Sequence, residues 1–260
     1  ENPKDFIFNN IVGTFNLLEV SLKFFLNLND DRKNIFKFHH VSTDEVYGAL
    51  GDEGKFDELT RYDPRSPYSA SKASSDHLVS SWHHTYGLPI VITNCSNNYG
   101  PWQFPEKLIP NVILKALYDQ KIPIYGEGKN VRDWLFVEDH VEAILLVAAK
   151  GRLGESYCIG GNSEKTNKEV VFEICSIMDS MYSNKKPHKD LIEFVEDRPG
   201  HDYRYAIDFQ KIEKELGWIP NYQFEDSLKK TVSWYLNNLK WCETIKQKAK
   251  YDGSRIGLKL

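Results

Sequence analysis

Asp44 and Glu45 stand side by side behind Thr43, and Tyr68 and Lys72 follow at a spacing of four. Two neighbouring carboxylates can serve as acid and base when their surroundings push their pKa values apart. A phenol is a poor base at its ordinary pKa of about 10, but an ammonium one helical turn away favours the phenolate. These side chains could take a proton from an alcohol, take another from carbon and return one to a leaving hydroxyl. Each piece alone has a plainer meaning. An Asp-Glu pair usually faces water in a turn, and Tyr-x-x-x-Lys often decorates a helix surface.

The elements that must hold these residues can be read along the chain. Residues 35–41 form an apolar, β-rich run that reads as a buried strand ending on Ser42, Thr43, Asp44 and Glu45. Ligands of open α/β sheets bind at such carboxyl ends. Ser66 and Pro67 read as N-cap and first-turn proline of a helix presenting Tyr68 and Lys72 on one face, and Gly87 with Pro89 closes it. A second buried strand, 90–95, delivers Asn97 and Asn98, although adjacent asparagines also suit a turn. Further on, the pattern predicts helices over 105–119, 138–149, 167–182 and 224–246, and a short strand over 122–125. The opening helix carries a stripe of Ile7, Ile11, Phe15, Leu18, Leu22 and Phe25, with Phe8, Val12, Phe24 and Leu26 beside it. That surplus of apolar surface calls for a further partner.

At 260 residues, 41% hydrophobic and 27% charged, the chain can bury a substantial core in two lobes. Its net charge of −4 argues against nonspecific binding to nucleic acid or to an anionic membrane. No apolar run approaches the roughly 18–20 residues that span a bilayer, and no signal-peptide pattern opens the chain. Cys95, Cys158, Cys175 and Cys242 lie far apart without metal-ligand spacing. They read as reduced thiols of a cytoplasmic protein with no bound metal.

The strand-end Ser42-Thr43 together with Tyr68-x-x-x-Lys72 resembles the extended short-chain dehydrogenase/reductase superfamily. Residues 42–48, 66–78, 93–101, 104–110, 132–134, 137–140 and 197–202 narrow the resemblance, in order, to the dTDP-glucose 4,6-dehydratase family. The resemblance implies a Rossmann-like, doubly wound parallel α/β sheet with a smaller α/β substrate-binding domain. Residues 1–96 and 130–150 would form the NAD-binding part, and 97–129 and 151–260 the sugar-nucleotide part. It also implies NAD as cofactor and a homodimer through helices near 5–27 and 67–86. The family opens with a glycine-rich strand-to-helix turn that holds the cofactor pyrophosphate, whereas the first residues here already read as helix. On the order of 60–90 residues are therefore expected ahead of Glu1.

By the same resemblance, Tyr68 accepts the proton of the sugar C4 hydroxyl as hydride leaves for NAD⁺. Glu45 then removes the C5 proton and Asp44 protonates the departing C6 hydroxyl. Thr43 hydrogen-bonds the C4 oxygen, and Lys72 binds the nicotinamide ribose and tunes Tyr68. Asn97 faces the sugar nucleotide and Asn98 the nicotinamide end. Lys107, Leu108, Ile109, Pro110, Pro123, Tyr125, Arg132 and Asn167 hold the nucleotide diphosphate and base, with Asp197, Arg198, Pro199, Gly200 and His201. The forked, permanent charge of arginine suits phosphate oxygens. A 4-epimerase or decarboxylase would share Tyr68 and Lys72 but has no use for Asp-Glu directly after Thr. A UDP-glucose dehydratase would carry a similar Thr-Asp-Glu, and a non-catalytic remnant would keep only a binding surface.

Overall fold

The computed structural model describes residues 3–181, 186–197 and 200–249. The chain opens on one continuous helical stretch: α1 (Pro3–Phe6), a π-helical turn over Ile7–Val12, and α2 (Gly13–Leu26). At the π turn the Asn10 carbonyl accepts from Ser75 Oγ at 2.6 Å, and Asn10 Nδ2 donates to Ser71 Oγ at 2.9 Å. The small serines let the two helices close on each other there. Next, α3 (Asp30–Ile35) is capped by the Asn29 side chain, with Asp30 and Asp31 in its first turn. That cap draws Ile35 into a helix and leaves it exposed. The strand expected from residue 35 therefore begins later, as β1 (Phe38–Thr43).

A long connection leads to α4 (Pro67–Tyr86) and back to β2 (Ile90–Cys95). The ends of α4 are those the residue types predict. Ser66 and Ser69 form a reciprocal capping box, Pro67 occupies the first turn, and Gly87 takes the left-handed φ of +68° that closes the helix.

Beyond β2 the chain runs through β3 (Asn97–Tyr99), α5 (Leu108–Leu117), β4 (Ile122–Tyr125) and β5 (Val131–Phe136). It continues as α6 (Val137–Lys150), β6 (Ser156–Ile159), β7 (Glu164–Thr166), α7 (Asn167–Met181) and β8 (Ile192–Val195). It finishes with α8 (Gln210–Leu216), α9 (Phe224–Asn237) and α10 (Leu239–Lys248). The last two replace the single helix expected over 224–246. The chain breaks at Asn238, and α10 folds back so that Trp241 meets Trp234 and Trp102 at ring separations of 5.3 Å.

The strands pair as β1-β2-β6, β3-β5-β7 and β4-β8. In the first sheet all pairing is parallel, and Thr43 lies in register with Cys95. One face, with Ile90 and Ile92, packs on Leu18 of α2 and Val79 of α4. The other, with Val91, Tyr157 and Ile159, packs on Ala143 and Val147 of α6 and Ile212 of α8. Helices on both faces make this the expected α/β architecture. β6 and α8 lie beyond residue 151, in the stretch assigned from sequence to the smaller domain, yet they complete this sheet and its cover. The remaining core joins Tyr99, Trp134 and Phe136 to α5, α7 and α9. Gly161 fits between β6 and β7 because a Cβ there would lie 2.0 Å from the Trp134 carbonyl oxygen.

Candidate functional site

The carboxyl ends of β1 and β2 and the first turns of α4 meet at one corner. Thr43 ends β1 and caps the 3₁₀ turn Asp44–Tyr47, its Oγ1 accepting from the Glu45 N–H at 3.3 Å. The same hydroxyl donates to Asp44 Oδ1 at 3.3 Å. Lys72 reaches from α4 to donate to the Val41 carbonyl at 2.9 Å. Phe6 packs edge-on against Tyr68, with ring centroids 5.5 Å apart. The structure thus brings together Thr43, Asp44, Glu45, Tyr68 and Lys72.

Electrostatics divides their roles. Asp44 is buried, and that burial, followed by Glu45 and Asp133, holds its carboxyl well above the ordinary carboxylate range. Arg132 and the Thr43 hydroxyl oppose the rise without cancelling it. Burial therefore favours the protonated form of Asp44, the form an acid needs. Tyr68 departs from the sequence expectation. Its phenol is pushed up rather than down, by burial first and then by Glu45, Cys95, Asp44 and Asp76. Burial also pushes the Lys72 ammonium down, partly offset by Asp76 and Cys95. The spacing of four puts Lys72 one turn from Tyr68 but says nothing of the burial and the carboxylates that raise the phenol.

Several buried acceptors and hydroxyls in this region have no hydrogen-bond partner: Asp44 Oδ2, Ser96 Oγ, Asn97 Oδ1 and Asn98 Oδ1. Buried polar atoms without partners are costly and mark where a polar ligand would be received. Asn97 and Asn98 lie on β3, opposite Trp134 and Leu135. The Asn98 amide donates to the Ser96 carbonyl at 3.1 Å, which leaves its oxygen available. An amide acceptor and a lysine ammonium beside a phenol suit the carboxamide and ribose of a nicotinamide cofactor. Among the described residues no cluster of His, Cys, Asp and Glu could hold a metal ion.

The residues expected at the nucleotide end fall into three groups. Arg132 is buried and held by the protein, donating to the carbonyls of Val131 at 2.7 Å, Tyr203 at 3.3 Å and Asp202 at 2.9 Å. Its guanidinium lies 4.4 Å from the Tyr205 ring centroid. Tyr125 at the end of β4 meets His201 edge-on at 6.3 Å, and His201 Nδ1 sits 2.7 Å from Asp197 Oδ1. Gly200 follows in a left-handed turn at φ +66°, while Arg198 and Pro199 lie outside the described residues. Pro123 is half-buried on β4, and Asn167 opens α7 with its N–H on the Asn130 carbonyl at 3.0 Å. In the third group, Lys107 stands just before the first turn of α5 without a side-chain cap and pairs with Glu106 at 3.2 Å, and Leu108 packs against the core. The side chains of Ile109 and Pro110 are buried, so contacts there belong to the backbone.

Two acidic residues of the site escaped the sequence reading. Asp133, beside Arg132, is pushed up to about 6 by burial and accepts from the N–H groups of Ser163 at 2.8 Å and Gly161 at 3.1 Å. Asp76 lies on α4 with 2% of its surface exposed. A signal for it was present: His40, Ser42 and Asn94 are polar at inward positions of otherwise apolar strands, and Tyr68, Lys72 and Asp76 recur every four residues.

Comparison with known proteins follows this geometry closely. The sequence family described as GDP-mannose 4,6 dehydratase matches residues 1–231. A dTDP-glucose 4,6-dehydratase of Xanthomonas campestris is 57% identical over 259 residues, covering 99% of this chain and 74% of that protein. The crystal structure of the Bacillus anthracis dTDP-glucose 4,6-dehydratase in complex with NAD superposes with a TM-score of 0.79 at 49% identity, over 91% of this chain and 70% of that one. A Streptomyces venezuelae dTDP-glucose 4,6-dehydratase, also with NAD bound, gives a TM-score of 0.81 at 43% identity, over 91% and 68%.

Proposed function

The chain belongs to the dTDP-glucose 4,6-dehydratase family, and from that premise we propose that it carries out NAD-dependent removal of water from dTDP-glucose. The product is the 4-keto-6-deoxy sugar nucleotide. The observation that carries this reading is a buried Asp44, its pKa raised by that burial, beside Glu45 at the strand end that also meets Tyr68 and Lys72. NAD⁺, when bound, supplies the acceptor and later the donor of one hydride, together with a positive charge near the phenol.

Each residue has one task. Tyr68 takes the proton of the C4 hydroxyl as C4 is oxidised to the ketone. That ketone acidifies the C5 proton, which Glu45 removes. Asp44 donates its proton to the C6 hydroxyl, the C6–O bond breaks, and water leaves. Hydride then returns at C6 while Glu45 returns a proton to C5, so no net oxidation remains. Thr43 would hydrogen-bond the C4 oxygen, Lys72 would hold the ribose of the cofactor, and Asn98 would hold its carboxamide. Asn97, Tyr125, Arg132, Asn167 and the 197–201 loop would receive the sugar, diphosphate and base. Arg132 is pre-oriented by carbonyls, which suits a forked contact to phosphate.

The decisive experiment incubates the NAD-loaded enzyme with dTDP-glucose and follows loss of one water by mass spectrometry, with UDP-glucose in a parallel reaction. Conversion of dTDP-glucose supports the reading. Epimerised but undehydrated sugar would overturn it.

The same reading makes the enzyme a cytoplasmic homodimer. Leu17, Val20 and Phe24 remain exposed as a stripe along α2, with Phe8 exposed before them, apolar surface suited to a second copy. Among the described residues no helix is long and apolar enough to cross a membrane. A charged residue in the stripe, as in Val20→Asp, should turn a dimer into a monomer by light scattering.

A further inference from the structure

Asp76 lies one helical turn beyond Lys72, deep beneath the site. Four side chains from three other parts of the chain converge on its carboxylate. His40 Nε2 stands 3.0 Å from Oδ1. Ser42 Oγ, Tyr62 OH and Asn94 Nδ2 donate to Oδ2 at 2.8, 2.9 and 3.2 Å. Asn94 also donates to the Thr43 carbonyl at 3.3 Å, and Lys72 donates to the Val41 carbonyl one turn earlier. The ends of β1 and β2 are thus fastened to α4 at two successive turns, immediately before Asp44 begins. Packing alone does not call for such a cluster. One turn further on, Val79 meets the same sheet through apolar contacts with Ile90 and Ile92. A buried carboxylate is costly unless its lone pairs are filled, and here four donors fill them. The directional contacts set a register that apolar contacts leave loose.

We propose that Asp76 is a positioning residue for the dehydration, fastening the helix of Tyr68 and Lys72 to the strand end that carries Asp44 and Glu45. This rests on the dehydratase reading. The charge of Asp76 acts on the same two groups. It favours the Lys72 ammonium, which Cys95 also faces, and it opposes the Tyr68 phenolate alongside Glu45, Cys95 and Asp44.

Asp76→Asn in the NAD-loaded enzyme tests this. The amide oxygen still accepts from Ser42, Tyr62 and Asn94, and the amide N–H can donate to His40 in its other tautomer. Tm should stay within a few degrees of wild type. kcat should fall about tenfold with KM for dTDP-glucose changed less than about twofold. The acid limb of kcat should move to lower pH, because one negative charge opposing the phenolate is gone. NADH affinity, measured by fluorescence titration, should weaken several-fold as Lys72 loses its orientation. Unchanged kcat, pH limb and NADH affinity would make Asp76 a purely structural residue and overturn the proposal. Tyr62→Phe, which removes one donor and keeps the carboxylate, gives the same reading if Asp76→Asn does not fold: kcat should fall several-fold at near-normal Tm, and wild-type kcat would again overturn it. A wild-type enzyme inert towards dTDP-glucose would sink the dehydratase reading alone, while NADH affinity still decides the role of Asp76.

Discussion

At the corner of Thr43, Asp44, Tyr68 and Lys72, Asp44 is buried with one carboxyl oxygen unpartnered, and the other three side chains are half-buried around it. At the other end, Arg132 is bound by three carbonyls and His201 by Asp197, so the charged groups are already engaged. The first arrangement skews protonation states. Burial raises Asp44 and Tyr68 together, which keeps one proton ready for a leaving hydroxyl and makes the phenol wait for a positive charge before it accepts another. The second arrangement fixes direction, because a guanidinium held by carbonyls keeps its fork aimed and its charge constant whatever the pH. One end is built for proton transfer, and the other for holding an anion still.

The sharpest way to break that division is Tyr68→Phe. The ring and its edge contact with Phe6 survive, and only the proton acceptor is lost. Turnover should drop about a thousandfold, and the absorbance of reduced cofactor formed on mixing with substrate should vanish. A normal burst would move the acceptor role to another group. Glu45→Gln should cost about a hundredfold in product formation while cofactor reduction persists. Exchange of deuterium into C5 should cease in that variant, and continued exchange would remove Glu45 as the base. For the acid, the raised pKa of Asp44 predicts that kcat declines as pH rises through it, a limb that Asp44→Asn should abolish along with most activity.

Arg132→Lys probes the holding end. A point charge cannot reproduce the fork, so KM for dTDP-glucose should rise about tenfold with kcat little changed. An equal loss in kcat would mean that Arg132, through its influence on Asp44, belongs to the chemistry after all.

The smallest effect is expected away from both ends, at His39 and His140. Both are pushed down to about 4, chiefly by burial and then by His40 and Lys37 for His39, and by His39 for His140. Unfolded, each would bind a proton near its ordinary 6.5. The stability they contribute is therefore present above about pH 6.5 and is lost as pH falls towards about 4. Thermal unfolding across that window should show Tm declining by several degrees, and His140→Gln should flatten the decline.

Much of the molecule was decided by short-range pattern. Ser66, Pro67 and Gly87 bounded α4 because caps and left-handed turns depend on neighbours within one helical turn. β2 and β4 kept their predicted limits because apolar, β-branched runs flanked by turn residues have few alternatives. The adjacency of Asp44 and Glu45 and the spacing of Tyr68 and Lys72 named the chemistry, since those relations lie within single elements. What the tertiary structure decided lies between elements. It broke the last helix at Asn238, where Trp241 found Trp102 and Trp234. It brought β6 back to the first sheet from beyond residue 151. It also reversed the expected shift of Tyr68, because a phenol responds to every charge and every layer of protein around it, and burial, Glu45, Cys95 and Asp44 come from outside its own helix. The convergence on Asp76 of His40, Ser42, Tyr62 and Asn94 is of the same kind: four ordinary polar residues become one site only when a parallel sheet is laid against a helix.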